Sequence, residues 1–140
     1  KKLLKEKFKK TIEDLSKDKK IILLYPAPTT LHNVYVTHRI MQNRNKIITN
    51  ENFYLKDPIN YSLKLHRENT SEVTKLLDKI NSKNIYKINP EKVFCPEDQC
   101  FLYDNENAYI FDSHHLSYEG SNKINNLIIK EIEKIETKSN

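Results

Sequence analysis

Glycine is almost absent: Gly120 is the only one in 140 residues. That excludes every nucleophile loop built on glycine. The chain has no Gly-Asp-Ser segment and no G-x-S-x-G elbow, the strained turn that lifts a serine clear of the backbone. One glycine is also few for an α/β enzyme, whose loops normally carry several. Cysteine is scarce as well, with Cys95 and Cys100 the only two. Two thiols cannot by themselves complete a structural zinc site, and histidines would have to be recruited. Their spacing is not Cys-x-x-Cys, which argues against thioredoxin-type redox chemistry. No apolar run approaches the length of about 20 residues that a membrane span needs. The chain opens Lys1-Lys2-Leu3-Leu4-Lys5, neither an initiator methionine nor a signal peptide. Together with the shortage of glycine, this opening reads as part of something longer.

The 140 residues suffice for one domain, 1–140, with a modest core. Hydrophobic residues make up 37% and charged residues 31%. Twenty-four basic against 19 acidic residues leave a net charge of +5. A basic balance invites a nucleic-acid reading. The lysines argue against it, because they are scattered among Glu and Asp at helix-surface positions and form no arginine-rich stripe. Solvated helix faces account for them better. Attraction to an anionic membrane surface or glycan is the weaker alternative.

Along the chain, Leu4, Phe8, Ile12 and Leu15 repeat at helical spacing over 1–16. Ile21-Ile22-Leu23-Leu24-Tyr25, ended by Pro26-Ala27-Pro28, reads as a buried parallel strand. Residues 32–41 read as a helix and 43–60 as an exposed polar loop. Asn69-Thr70-Ser71-Glu72 has the form of a capping box, opening a helix with Val73, Leu76, Leu77 and Ile80 on one face. Ile85 to Ile88 alternate as a strand, and Pro90 starts a turn into the cysteine loop. Phe101-Leu102-Tyr103 and Ala108-Tyr109-Ile110-Phe111 flank Asp104-Asn105-Glu106-Asn107 and predict a β-hairpin. The last helix, over 117–135, carries Ile124, Leu127, Ile128, Ile132 and Ile135 on one face, with Ser117 as its N-cap. Helices alternating with short apolar strands imply α/β layers.

The strongest chemical signal is Asp112-Ser113-His114-His115-Leu116-Ser117-Tyr118-Glu119-Gly120. An acid three residues before a histidine, on a turn between strand and helix, can hold one ring nitrogen and leave the other free to take a proton from a hydroxyl. Asp112 and His115 are the candidate acid–base pair, with His114 competing for the role of His115. Leu116 would anchor the turn, and Gly120 would let the first helical turn pack closely. The bland alternative is an ordinary turn with two histidines and an N-cap. The serines, Ser16, Ser62, Ser71, Ser82, Ser113, Ser117, Ser121 and Ser139, all lie in polar or capping contexts and make poor nucleophiles. Cys95 and Cys100 are most simply a local disulfide formed in an oxidising compartment; the alternative is two unlinked cytosolic thiols. His38, Arg39, His66 and Arg67 are further candidates, with surface exposure the simpler reading.

In order along the chain, these features resemble the C-terminal part of the SGNH domain fused to membrane acyltransferases of the acyltransferase-3 type. The matching pieces are a helix and strand ending in Pro26-Ala27-Pro28, the Cys95–Cys100 loop, the aromatic-rich hairpin, and the block from Asp112 to Gly120. The resemblance implies a three-layer α/β/α flavodoxin-like fold, of which this is the C-terminal portion. It implies a Ser-His-Asp triad in which Asp112 and His115 supply the acid and the base, and a Cys95–Cys100 disulfide. The family's Gly-Asp-Ser serine has no counterpart here and would precede Lys1. The implied activity is O-acylation, or ester hydrolysis, on bacterial surface glycans such as lipopolysaccharide or peptidoglycan, in the periplasm. The implied partners are an acyl donor, a glycan acceptor and an integral membrane acyltransferase domain, with no nucleic acid; no cofactor or metal is called for. A non-catalytic glycan-binding or interaction module on the same fold is the second hypothesis, and it is favoured by the absent Gly-Asp-Ser. A nucleic-acid-binding domain, resting on the +5 charge alone, is the third.

Overall fold

A computed structural model describes residues 2–29, 61–104 and 106–137, and leaves the side chain of Tyr61 aside. The expected helix at 32–41, the loop at 43–60, and His38 and Arg39 lie outside the described residues. The described elements are α1 (Lys2–Leu15), β1 (Ile21–Leu24), β2 (Tyr61–Ser62), α2 (Leu63–Asp78), β3 (Ile85–Ile88), α3 (Glu91–Phe94), β4 (Gln99–Cys100) and α4 (Tyr118–Thr137).

The apolar run at 21–24 pairs in parallel with the alternating run at 85–88, in the register Ile21↔Ile85 to Leu24↔Ile88. The Tyr25 N–H extends the ladder to the Ile88 carbonyl at 2.9 Å. With α2 lying between them in the chain, β1 and β3 form the parallel βαβ arrangement that alternating elements imply, so the fold is α/β. Beneath the pair, Leu23, Tyr25, Leu77 and Ile80 form one core cluster, onto which Ile12 of α1 packs. Burying each such side chain contributes about 1.5–3 kcal/mol. Polar ties support the layer: the Tyr25 hydroxyl donates to Asp78 at 2.6 Å, and Asn84 Nδ2 donates to the Ser16 carbonyl at 2.8 Å.

Several expectations shift. The stripe of α1 forms, but Leu4, Phe8 and Leu15 are exposed and only Ile12 reaches the core. The capping box at 69–72 does not open a helix. Ser62 caps α2 instead, its hydroxyl accepting from the Leu65 N–H at 3.2 Å. Thr70 sits inside the helix and satisfies its hydroxyl on the His66 carbonyl at 2.8 Å, the back-bonding open to a mid-helix threonine. Val73 is exposed, whereas Leu77 and Ile80 are buried as expected. The hairpin is reduced to a bridge pairing Tyr103 with Ala108, plus a bond from the Tyr109 N–H to the Leu102 carbonyl at 2.8 Å. Asp104 turns the chain by accepting from the Glu106 and Asn107 N–H groups, at 2.8 and 2.7 Å.

The second half of the core supports the C-terminal block. Leu63, Phe94, Cys95, Cys100, Tyr109 and Ile124 cluster together, and Leu102, Ala108 and Ile110 form a neighbouring group. Leu116 packs against both. Cys95 and Cys100 form a disulfide. Cys100 also pairs with Tyr61 in the short antiparallel β2–β4 ladder, so the loop is joined to the start of α2.

Candidate active site

The turn at 111–115 is built by local hydrogen bonds. The Ser117 N–H donates to the Tyr109 carbonyl at 2.9 Å, and the Phe111 N–H donates to the His115 carbonyl at 2.7 Å. These bonds flank the antiparallel bridge between Ile110 and Leu116 and close a short loop over Asp112, Ser113 and His114. Ile110 is fully buried and Leu116 half-buried, so the two legs of the loop are rooted in the core. Helix α4 follows directly. Ser117 caps it, its hydroxyl accepting from the Gly120 N–H at 3.0 Å, and Glu119 places a negative charge in the first turn, where the helix dipole favours it.

Gly120 is required by packing. A Cβ at this position would lie 1.9 Å from the Tyr109 carbonyl oxygen and 2.8 Å from its carbon. The first turn of α4 therefore rests directly on the backbone that launches the Asp112 loop.

Asp112 is fixed by its own loop. Its Oδ1 accepts from the His114 and His115 N–H groups, both at 2.8 Å. Its Oδ2 lies 2.7 Å from His115 Nδ1. The backbone donor at His114, the His115 side chain and the backbone donor at His115 hold the Asp112 carboxyl well below the usual carboxylate range. An ionised carboxylate at this distance selects the His115 tautomer with hydrogen on Nδ1, which turns the lone pair of Nε2 outward. The His115 side chain is 68% exposed, and no described side chain is hydrogen-bonded to its Nε2. His114, which competes for the same role in sequence, sits differently: its Nδ1 pairs with Ser113 Oγ at 2.8 Å and lies 3.8 Å from Asp112 Oδ1. The two imidazoles stand side by side, 4.1 Å between centroids.

Tyr109 packs against Phe94 with ring centroids 6.0 Å apart, and Lys123 Nζ lies 4.2 Å over its ring. Its hydroxyl donates to Asp104. Burial, aided by that carboxylate, pushes the phenol up to about 12.

The other sequence candidates lie apart from this turn. Cys95 and Cys100 are bonded to each other, which leaves neither as a thiolate nucleophile. Ser16 is buried with its hydroxyl donating to the Glu13 carbonyl, and Ser62 and Ser117 are engaged as caps. His66 is buried rather than exposed, 3.7 Å from Glu91, with burial holding its ring below the usual histidine range against the pull of that carboxylate. Its burial was hidden because a histidine in a Leu63–His66–Thr70 stripe does not read as apolar. Arg67 lies on the surface and clasps Glu91, with Nη2 2.9 Å from Oε2. A groove of about 340 Å³ between α1 and α2 is lined by Lys2, Lys5, Lys9, Glu72, Lys75 and Lys79, well away from Asp112 and His115 in the chain. Among the described residues, Asp112, His114 and His115 are the group whose ligand atoms lie close enough together to hold a metal ion.

No described helix is long and apolar enough to cross a membrane. No curated protein and no solved structure gives a significant match to the chain. A family model described as the SGNH domain fused to AT3 domains matches residues 1–130. That match runs from α1 through the Asp112 turn and into the body of α4, and by its length the chain belongs to this SGNH-domain family.

Proposed function

We propose that this chain is the acid–base portion of an extracytoplasmic SGNH-type domain. The domain moves an acyl group, acetyl first among the candidates, onto or off a bacterial surface glycan such as lipopolysaccharide or peptidoglycan. The observation that carries the reading is the 2.7 Å contact between His115 Nδ1 and Asp112 Oδ2, with Nε2 turned to solvent. The family match supports acyl chemistry and a membrane-embedded AT3 partner that delivers the acyl group.

In this reading the nucleophile is a serine outside this chain. Its hydroxyl gives its proton to His115 Nε2 as it attacks the acyl carbonyl, and Asp112 stabilises the imidazolium that results. The donor's leaving group takes that proton, and an acyl-serine ester remains. A sugar hydroxyl then attacks the ester, giving its proton to His115, which returns it to the departing serine oxygen. Water in place of the sugar makes the same site an esterase. We place residues 1–140 in one domain, a three-layer α/β/α flavodoxin-like fold in which the β1–β3 pair is part of a wider parallel sheet.

A second reading, a non-catalytic glycan-binding module, is favoured by one observation. No described serine bonds to His115 Nε2, and the sequence contains no Gly-Asp-Ser. A serine-reactive fluorophosphonate probe on the full-length protein separates the two. One adduct by intact mass, abolished in His115→Ala, is expected. A full-length protein that gains no adduct refutes the catalytic reading and leaves the binding module.

A further inference from the structure

We propose that Asp112, His114 and His115 bind a zinc ion, and that the ion switches off the acid–base pair. The switching rests on the function proposed above; the binding does not. The three residues bring one ligand atom each to within 4.8 Å of the others. Both imidazoles turn Nδ1 towards one carboxylate, His115 at 2.7 Å from Oδ2 and His114 at 3.8 Å from Oδ1. Ligand atoms around a tetrahedral zinc, with bonds of about 2.0–2.2 Å, stand roughly 3.4 Å apart. The His115 distance is shorter than that value and all three donors lie within 4.8 Å of one another, so side-chain rotations bring one carboxylate oxygen and two ring nitrogens into place.

The cluster has one fixed member and two adjustable ones. Asp112 is held by the His114 and His115 N–H groups at 2.8 Å, whatever its outer oxygen does. The two imidazoles are 60% and 68% exposed, so an incoming ion reaches both from solvent. Two imidazoles and one carboxylate suit zinc, whereas magnesium and calcium prefer shells made wholly of oxygen. The fourth position stays open to water, as at exchangeable zinc sites. An acid–base pair needs one histidine; the adjacent His114, whose ring is hydrogen-bonded to its neighbour Ser113, is the residue that converts the pair into a chelate.

Occupancy blocks the chemistry through the tautomer. When Nδ1 of the neutral His115 ring binds zinc, the ring's single hydrogen must sit on Nε2. That atom then has no lone pair with which to take a proton from a hydroxyl. The carboxylate that oriented the ring is now a metal ligand.

The test uses tag-free full-length protein, stripped with a chelator and titrated with zinc chloride against a chromophoric zinc indicator. Wild type is compared with His114→Ala and with His114→Asn, so that failure of one variant to fold leaves the other. One zinc per chain is expected in wild type, with affinity at least about tenfold weaker in both variants, since even outer-shell losses at zinc sites cost this much. Magnesium chloride is expected not to compete. Hydrolysis of an activated acetyl ester by wild type is expected to be inhibited by zinc, and the fractional inhibition at the same zinc concentration is expected to be lost in His114→Ala. Absence of zinc uptake by wild type, or equal uptake by the variants, overturns the site. Uptake through His114 in a protein that neither hydrolyses the ester nor gains a fluorophosphonate adduct refutes the function proposed above and leaves the site standing. Zinc uptake through His114 in an active protein whose turnover zinc leaves unchanged refutes the switching, and with it the proposal.

Discussion

Replacing Gly120 with alanine tests whether the first turn of α4 is pressed onto the Asp112 loop. In an exposed helix, glycine to alanine stabilises by up to about 1 kcal/mol, because alanine has the higher helix propensity. Here the new methyl would lie 1.9 Å from the Tyr109 carbonyl oxygen and 3.2 Å from Leu116 Cδ2. A backbone oxygen cannot swing aside as a flexible side chain can, so the helix must back away by more than 1 Å. Overpacking of this kind costs about 1–3 kcal/mol. The same carbonyl accepts the Ser117 N–H at 2.9 Å, and stretching that bond costs about 1 kcal/mol more. The costs outweigh the propensity gain, and the net destabilisation is about 2 kcal/mol. The measurement is denaturant unfolding of Gly120→Ala in the full-length protein, with Asn126→Ala, an exposed position on the same helix, as the propensity control. The control is expected to hold or gain stability while Gly120→Ala loses it. An unchanged or raised midpoint in Gly120→Ala would refute the close approach.

Three further outcomes are expected. Asp112→Asn in the full-length protein removes the acceptor that selects the His115 tautomer, and turnover of an ester should fall by about ten-thousand-fold with KM little changed; retention of activity would remove Asp112 from the mechanism. Removing the disulfide in a Cys95→Ser, Cys100→Ser protein opens a loop of sequence separation 5, for which chain entropy gives a loss of about 2 kcal/mol, measured as a shift in urea midpoint. Tyr25 and Tyr109 are both pushed up to about 12, by burial first and then by Asp78 and Asp104. Their folded values lie above the unfolded value near 10, so the stability they contribute is intact below about pH 10 and is lost as pH rises through about 12. Tyr25→Phe and Tyr109→Phe should each remove one phenol from the tyrosinate absorbance rising near pH 12, and a trace identical to wild type would contradict the assignment.

Short-range chemistry was the most legible part of the sequence. Asp112 and His115 are three residues apart, and every bond that shapes their turn lies between positions 109 and 117, so local spacing carried the geometry. Ser117 and Gly120 were readable for the same reason. The strands at 21–24 and 85–88 are visible, one as an apolar run and the other as an alternation, whereas their pairing with each other is a long-range fact that neither pattern carries. The start of α2 was not legible. Its cap, Ser62, is followed by Leu65 where a capping box would have Glu or Gln, while a better-looking box at 69–72 lies in the helix interior. The burial of His66 is not legible, because periodicity treats histidine as polar, whereas its place beside Glu91 is decided by a residue 25 positions away. The hairpin at 101–111 is shorter than its apolar flanks imply, because Asp104 spends its carboxylate on the turn and only single bridges follow.

The Asp112 turn contains its own geometry. The hydrogen bonds that close the loop from Tyr109 to Ser117 span at most eight residues, while Tyr109, Ile110 and Leu116 seat it on the core. A loop this short can close before strands far apart in sequence have met, so the Asp112–His115 contact answers to the rest of the fold only through the seat that Ile110 and Leu116 take in the core.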